Sequence, residues 1–260
     1  MEASGKISVV NGNLITVAFE GAVAQNEVAF AQVSGGAKEG DARGLMCEVV
    51  RIRGRLADMQ VFEDTRDLRV GDKVDFTGEL LSAELGPGLL SQVYDGLQNP
   101  LPRLAGQCGF FLQRGTYLDA LERDRAWKFT PVARKGDSVS AGETLGTVPE
   151  GLFKHRIMAP FGLHGIYKVR EIAPAGEYKV EDRIALLEDD SGATHEARLM
   201  QKWPVKLPIT CYKERLAPSE TMVTQQRLID TFFPVAQGGT YCIPGPFGAG
   251  KTVLQQLTSR

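Results

Sequence analysis

The sequence predicts a mixed β and α/β fold that is divided into several domains. The chain has 260 residues, which is more than one compact domain usually holds. Most of it consists of short apolar and β-branched runs between glycine and charged turns, a pattern typical of antiparallel strands. From Thr221 onwards the pattern changes to helical periodicity, followed by a short apolar run, a glycine loop and a helical start. We therefore expect two β-rich domains and then the beginning of an α/β domain.

The first predicted domain is an antiparallel β-barrel over residues 1–72. Runs such as ISVV, LITVAF and MQVFED recur at a spacing of roughly 8 to 12 residues, which suits a small barrel. In LITVAF, alternation directs Ile15, Val17 and Phe19 towards one core. Residues 73–109 form a connecting segment and the start of the α/β domain, with a loop at Gly86–Gly88.

The second β-rich domain is predicted over residues 110–194. Repeated Gly-Asp and Ala-Gly turns between short strands resemble the barrel-sandwich fold of lipoyl and biotinyl carrier domains. A carrier needs a lysine at an exposed hairpin tip, and the region His155–Met158 offers none in such a setting. We therefore interpret the segment as an inserted scaffold.

The last segment, residues 195–260, is predicted to begin an α/β domain. A helix places Leu228, Ile229, Phe232 and Phe233 on one face before Pro234. A short strand over Tyr241–Ile243 then leads to a glycine loop and a second helix that starts at Lys251. Only eight residues follow Thr252, whereas a parallel sheet of βαβ units needs well over a hundred. We therefore expect a fragment that lacks later catalytic residues and is inactive alone.

Composition limits the possible partners. Thirty basic and 32 acidic side chains give a net charge of −2, so no overall basic field attracts nucleic acid or an anionic membrane. We expect no nucleic-acid partner.

The N-terminus resembles no signal peptide, and no apolar stretch of about 18 residues occurs. Four widely spaced cysteines indicate reduced thiols rather than a disulfide framework. These features favour the cytoplasm.

The segment GPFGAGKT carries the strongest chemical signal. It matches G-x-x-x-x-G-K-[ST], a phosphate-binding P-loop, in the strand–loop–helix setting that this motif requires. The alternative is a glycine-rich turn before an unrelated helix, which leaves the flanking pattern unexplained. The predicted nucleotide-binding residues are Gly245, Pro246, Phe247, Gly248, Ala249, Gly250, Lys251, Thr252 and Val253.

Each motif position has a physical role in holding a triphosphate. Glycines allow positive φ, so successive backbone N–H groups converge on phosphate oxygens at a helix N-terminus. Lys251 is the predicted catalytic residue, because its ammonium group can reach the β and γ phosphates. Thr252 is the predicted metal-associated residue, through Mg²⁺ bound to the nucleotide. The expected cofactors are ATP or ADP and Mg²⁺.

The surroundings of this loop resemble the catalytic A subunit of rotary V-type and A-type ATPases. The resemblance is carried by RLIDTFFPVAQGGTYCIPGPFGAGKTV, QVFEDTRDL, ELGPGLLSQVYDGLQNPL and KWPVK, in the family's order along nearly the whole chain. The segment 110–194 is similar to the insertion that distinguishes A subunits from related subunits. Two departures are Gln225, where the family commonly has glycine, and Ala249, where eukaryotic members often have cysteine.

This resemblance implies a motor subunit. Three such subunits would alternate with three B subunits around a central stalk, with peripheral stator subunits and only indirect contact with a membrane rotor. ATP hydrolysis or synthesis would be coupled to H⁺ or Na⁺ transport, in a soluble head peripheral to the membrane. Ala249 makes thiol-based redox control at that position unexpected and favours a bacterial or archaeal source. The alternative is a non-catalytic β-rich module that binds stator partners.

Overall fold

The computed structural model describes residues 3–33, 44–212, 214 and 216–259. They form two compact units, unit 1 (Met1–Cys211) and unit 2 (Tyr212–Arg260). None of the helices in these described ranges combines the length and apolar character needed to cross a bilayer. All the strand pairs described below are antiparallel.

Unit 1 begins with a closed barrel of six strands. Their order around the barrel is β1-β2-β5-β4-β3-β6. The strands are β1 (Ser4–Asn11), β2 (Leu14–Glu20), β3 (Glu27–Ala31), β4 (Leu45–Arg53), β5 (Leu56–Val61) and β6 (Lys73–Leu80). Ile15, Val17 and Phe19 alternate into the barrel interior and are at most 8% exposed. The predicted barrel fold and the predicted inward face of β2 are therefore confirmed, but β6, which pairs with both β1 and β3, lies beyond the predicted boundary at residue 72.

The connecting segment consists of a ribbon strand, a loop and one helix. Strand β7 (Ser82–Leu85) follows the barrel, and α1 (Leu101–Cys108) begins after Pro100. The loop after α1 contacts the barrel through Tyr117, whose hydroxyl accepts a hydrogen bond from Met46 N at 2.7 Å and donates to Glu63 at 3.1 Å. Burial raises the pKa of Tyr117, so the phenol keeps its proton for this bond.

A sandwich of two four-stranded sheets follows. One sheet has the order β11-β10-β8-β13 and the other β15-β14-β12-β9. Its strands are β8 (Ala126–Pro131), β9 (Ser138–Ser140), β10 (Thr144–Glu150), β11 (Phe153–Met158), β12 (Ile166–Ile172), β13 (Gly176–Lys179), β14 (Arg183–Glu188) and β15 (Thr194–Arg198). Phe129, Val148, Val169 and Leu187 lie in the core between them. The β-rich sandwich of the predicted fold is confirmed.

The chain returns from the sandwich beside the strand from which it left. Strand β16 (Gln201–Pro204) pairs with β7, so Gln201 lies opposite Leu85 and Pro204 opposite Ser82. The connecting segment is also tied to the sandwich by two buried carboxylates. Glu84 binds Arg123, and Glu150 accepts hydrogen bonds from Gly88 N at 2.6 Å and from His155 at 2.7 Å.

The described residues of unit 2 form two short strands and two short helices. They are β17 (Thr221–Met222), α2 (Arg227–Phe232), β18 (Val235–Ala236) and α3 (Lys251–Thr258). Helix α2 lies where the sequence predicts it and ends before Pro234, but Leu228, Phe232 and Phe233 are each at least 66% exposed.

The predicted strand over residues 241–243 is wrong. These residues have no regular structure, and the described part of the chain contains no neighbouring strand with which they could form a ladder. An isolated extended segment leaves its backbone groups to solvent, so local β propensity alone does not make it a strand. The α/β architecture predicted for this segment is therefore not seen among the described residues.

Candidate functional site

The candidate site is the loop Gly245–Gly250 with the helix α3 that follows it. Gly248 has φ 79° and Gly250 has φ 81°, both in the left-handed region. A methyl group built at either position would meet nothing within 4 Å. These two glycines are therefore required by backbone conformation and not by lack of space. Gly245 differs, because its φ is not positive and a methyl group there would meet Ala249 at 3.4 Å.

The tip of the loop is a tight turn that projects its side chains outwards. Ala249 N donates to Pro246 O at 3.3 Å, which closes the turn. Phe247 lies at the tip and is fully exposed. The sequence left open whether Phe247 packs near a ligand or stiffens the turn. In unit 2 the phenyl ring stays in solvent, so it adds no packing to the turn itself.

The Lys251 side chain folds back over the loop. Its Nζ donates to Gly245 O at 2.8 Å and to Pro246 O at 2.6 Å. The ammonium group is therefore held on the same loop whose glycines give the backbone its left-handed turns. Lys251 is also the only charged residue between positions 241 and 259. The local charge is +1, in a chain whose overall charge is −2.

The helix α3 presents its N-terminus directly after the loop. Gly250 is the N-cap, no side chain caps the helix, and its first turn contains no acidic residue. Leu254 N bonds Gly250 O at 3.0 Å, which leaves the N–H groups of the first turn without intrahelical acceptors. Thr252 and Val253 are exposed in this turn. Free N–H groups, the helix dipole and one ammonium group together form an environment that attracts anions.

A groove runs along one side of α3. It is lined by Tyr241, Ile243, Lys251, Thr252, Gln255 and Thr258. The Tyr241 hydroxyl donates to Thr258 Oγ1 at 3.3 Å, which ties the segment before the loop to the end of the helix. This contact fixes the segment before the loop against α3, although residues 241–243 form no strand.

The structure also reveals a strained residue that the motif does not include. Gln225, in the segment before α2, has φ 62°, a conformation that costs glycine little. Its neighbour Thr224 is buried and donates through its backbone N and hydroxyl to Asp230 Oδ1, at 3.0 and 2.7 Å. These bonds lower the pKa of Asp230. The signal available in the sequence was the departure at Gln225 from the glycine common in the similar ATPase subunits, and Gln225 keeps the left-handed conformation that glycine adopts easily.

No group of three or more His, Cys, Asp or Glu side chains in the described ranges is arranged to hold a metal ion. The metal-associated residue predicted from the sequence was Thr252, acting through a bound nucleotide. Its hydroxyl is in the exposed first turn of α3, one residue after Lys251. The lysine and the threonine are therefore adjacent at the helix N-terminus, as the motif requires.

Comparison with known proteins gives matches over the whole chain. Residues 7–78 match the ATP synthase alpha/beta family β-barrel domain, and residues 118–206 match the ATP synthase alpha/beta subunit barrel-sandwich domain. These ranges contain most of the barrel and the sandwich described above.

Several proteins similar to this chain over its whole length share the same name. The V-type ATP synthase alpha chain of Treponema denticola is 58% identical over 259 residues, which is 100% of this chain and 43% of the relative. Proteins of the same name from Borrelia garinii and Borreliella burgdorferi are 58% identical over 260 residues, 100% of this chain and 44% of each relative. The chain thus spans less than half the length of the curated relatives it matches. Barrel, sandwich and whole-chain identity agree: the chain contains the β-barrel and barrel-sandwich domains of the ATP synthase alpha/beta family, and it is a homologue of V-type ATP synthase alpha chains.

Proposed function

We propose that this chain is part of the catalytic, ATP-binding subunit of a rotary V/A-type ATPase. The observation that carries the proposal is the loop Gly245–Gly250, where two left-handed glycines, one ammonium group and a free helix N-terminus occur together. Its setting, in a chain 58% identical to V-type ATP synthase alpha chains, supports the choice of nucleotide over other anions.

The residues of the loop fit a Mg-nucleotide. The backbone N–H groups of Gly248 and Gly250 and of the first turn of α3 would hold phosphate oxygens. Lys251 would exchange its two carbonyl acceptors for oxygens of the β and γ phosphates and stabilise negative charge there. Thr252 would offer its exposed hydroxyl to Mg²⁺. Mg²⁺ held at the Thr252 hydroxyl would supply positive charge that offsets the negative charge of the phosphates.

The remaining motif residues would shape the site rather than react. Pro246 and Ala249 close the turn, and Val253 contributes a main-chain N–H of the first helical turn. Phe247, fully exposed at the tip, is available to pack against a bound nucleotide or a neighbouring subunit.

We extend the proposal to the whole protein and its assembly. The domains would be a barrel from residue 1 to Leu80, a connecting segment up to 109, an inserted sandwich from 110 to Arg198 and a nucleotide domain that begins after it. Three copies would alternate with three B subunits, contact a central stalk and peripheral stators, and reach the membrane rotor only indirectly. ATP hydrolysis or synthesis would drive, or be driven by, H⁺ or Na⁺ transport. The subunit would lie on the cytoplasmic side, peripheral to the membrane.

The test is Mg-ATP turnover by the complex reconstituted with B subunits. Lys251→Ala should lower the turnover rate at least about a hundredfold, because it removes a positive charge from the transferring phosphate. The matched control is Lys135→Ala, an exposed lysine in the turn after β8, which should leave turnover unchanged. Turnover that survives Lys251→Ala would contradict the proposed site. Normal assembly without any turnover by the wild-type protein would instead favour the non-catalytic module.

A further inference from the structure

A small cavity lies in unit 1 where the connecting segment meets the sandwich, and the proposed function does not use it. Its volume is about 30 Å³. The polar side chains on its wall belong to Gln92, Tyr94, Arg103, Glu122, Arg125 and Trp127. A space of this size accepts a group somewhat larger than one water molecule, and it is far too small for a nucleotide.

The first observation is an unpaired donor. The Trp127 side chain is 95% buried, and its Nε1 has no hydrogen-bond partner among the described residues. The other tryptophan, Trp203, donates its Nε1 to Leu207 O at 2.8 Å. Native structures seldom leave a buried N–H without an acceptor. The indole N–H of Trp127 therefore lacks the acceptor that a buried donor needs, as far as the described residues go.

The second observation is the charge around the same cavity. Arg125 lies over the Trp127 ring, with its guanidinium carbon 4.0 Å from the ring centroid. Arg103 donates to the backbone oxygen of Asp119 at 3.1 Å. Within the described ranges, neither arginine forms an ion pair with a carboxylate. The wall therefore carries two guanidinium groups and one carboxylate, Glu122, and the carboxylate of Glu150 bonds to the wall from outside at Gly88 N.

We propose that this cavity binds a small inorganic oxyanion of the size of phosphate or sulfate. The two guanidinium groups supply countercharge, and planar N–H donors of arginine suit tetrahedral oxyanions. The Trp127 indole lines the same cavity, and its N–H would supply a further donor. Tyr94 is held in place by hydrogen bonds from its hydroxyl to backbone oxygens of Gly88 and Ala120, which fixes one wall.

The experiment is a titration with inorganic phosphate, followed by the ¹⁵N–¹H signals of the two indole groups. The chain carries Lys251→Ala, so that the loop before α3 does not contribute, and potassium chloride keeps the ionic strength constant. The Trp127 signal should shift with saturation, whereas the Trp203 signal, already hydrogen-bonded, should stay in place. Trp203→Phe assigns the two signals. Sulfate should compete with phosphate, and chloride should not.

Substitutions of the side chains that line the cavity should change the affinity for phosphate in predictable directions. Arg103→Gln and Arg125→Gln should each weaken phosphate binding about tenfold. Glu122→Gln should tighten it, because it removes the only repelling charge on the wall. Arg55→Gln, on the exposed turn between β4 and β5, is the control and should change nothing.

Two results would overturn the proposal. One is the absence of any saturable shift of Trp127, which would mean that an ordered water satisfies the indole. The other is a shift that Glu122→Gln weakens, which would mean that the cavity prefers a cation. Both results would leave the proposed nucleotide site untouched, since Lys251 is already replaced in this experiment.

Discussion

A methyl group at Gly146 should be among the most damaging small changes in the sandwich. Gly146 lies in β10, and a Cβ atom built on it would be 2.2 Å from Phe129 Cε2, 2.4 Å from Phe129 Cζ and 2.8 Å from Thr130 O. Phe129 is completely buried. Neither the ring nor the strand β8 that carries Thr130 can move without disturbing the core or the pairing of β10 with β8.

The expected cost follows from these distances. Inserting a methyl group into a well-packed core usually costs about 1–3 kcal/mol. Here the methyl group meets both a buried ring and backbone, so we expect Gly146→Ala to lower the free energy of unfolding by about 3 kcal/mol. Urea unfolding followed by Trp127 fluorescence in a Trp203→Phe background measures it. The midpoint should fall by at least about 1 M.

Two other glycines serve as controls that separate steric crowding from backbone strain. A methyl group at Gly162 meets nothing within 4 Å and φ there is not positive, so Gly162→Ala should stay within about 0.5 kcal/mol of wild type. Gly192 is equally open but has φ 83°, so Gly192→Ala should cost about 1 kcal/mol through strain alone. In a Phe129→Leu background the Gly146→Ala penalty should shrink. A Gly146→Ala effect below about 1 kcal/mol would refute the crowding argument.

Three further predictions concern other parts of the chain. Burial raises the pKa of Cys47 to about 12, so a thiol reagent at about pH 8 should modify exposed Cys242 quickly and Cys47 only after unfolding. Labelling of Cys47 itself in the native protein, as fast as that of Cys242, would contradict this. Gln225→Gly should stabilise α2 by up to about 1 kcal/mol because φ is 62°, and slower amide exchange would show it. The lowered pKa of Asp230 contributes stability above the ordinary carboxylate pKa that is lost as pH falls through the lowered value. The protection of the α2 amides, after correction for the intrinsic pH dependence of exchange, should therefore fall in acid, and Asp230→Asn should abolish that fall.

The barrel was predictable because its signal is local. Alternation in β2 identifies which of Ile15, Thr16 and Val17 face inwards, and the turns between strands are marked by glycine and charge. The closure of the barrel was not predictable in the same way, because β6 pairs with both β1 and β3. Those pairings join distant segments and depend on the whole set of strands rather than on any one of them.

In the candidate site, too, the features fixed by local sequence were predictable and the others were not. The glycine positions and the start of α3 at Lys251 follow from the spacing of the motif. The strand over residues 241–243 did not form, because a short apolar run needs a neighbouring ladder that local sequence does not provide. The attachment of Lys251 Nζ to two loop carbonyls depends on side-chain rotamers, which no motif records. The left-handed conformation of Gln225 is indicated in the sequence only by the absence of the glycine that similar proteins commonly have there.

The ribbon of β7 and β16 has a consequence for how such chains diversify. Because Leu85 and Gln201 are paired, everything between them departs from and rejoins the chain at neighbouring points, about 5 Å apart. Closing a longer or shorter excursion at that gap changes the entropy only logarithmically. The segment between β7 and β16, which includes the sandwich, can therefore change in length without changing the strand pairing that closes the six-stranded barrel.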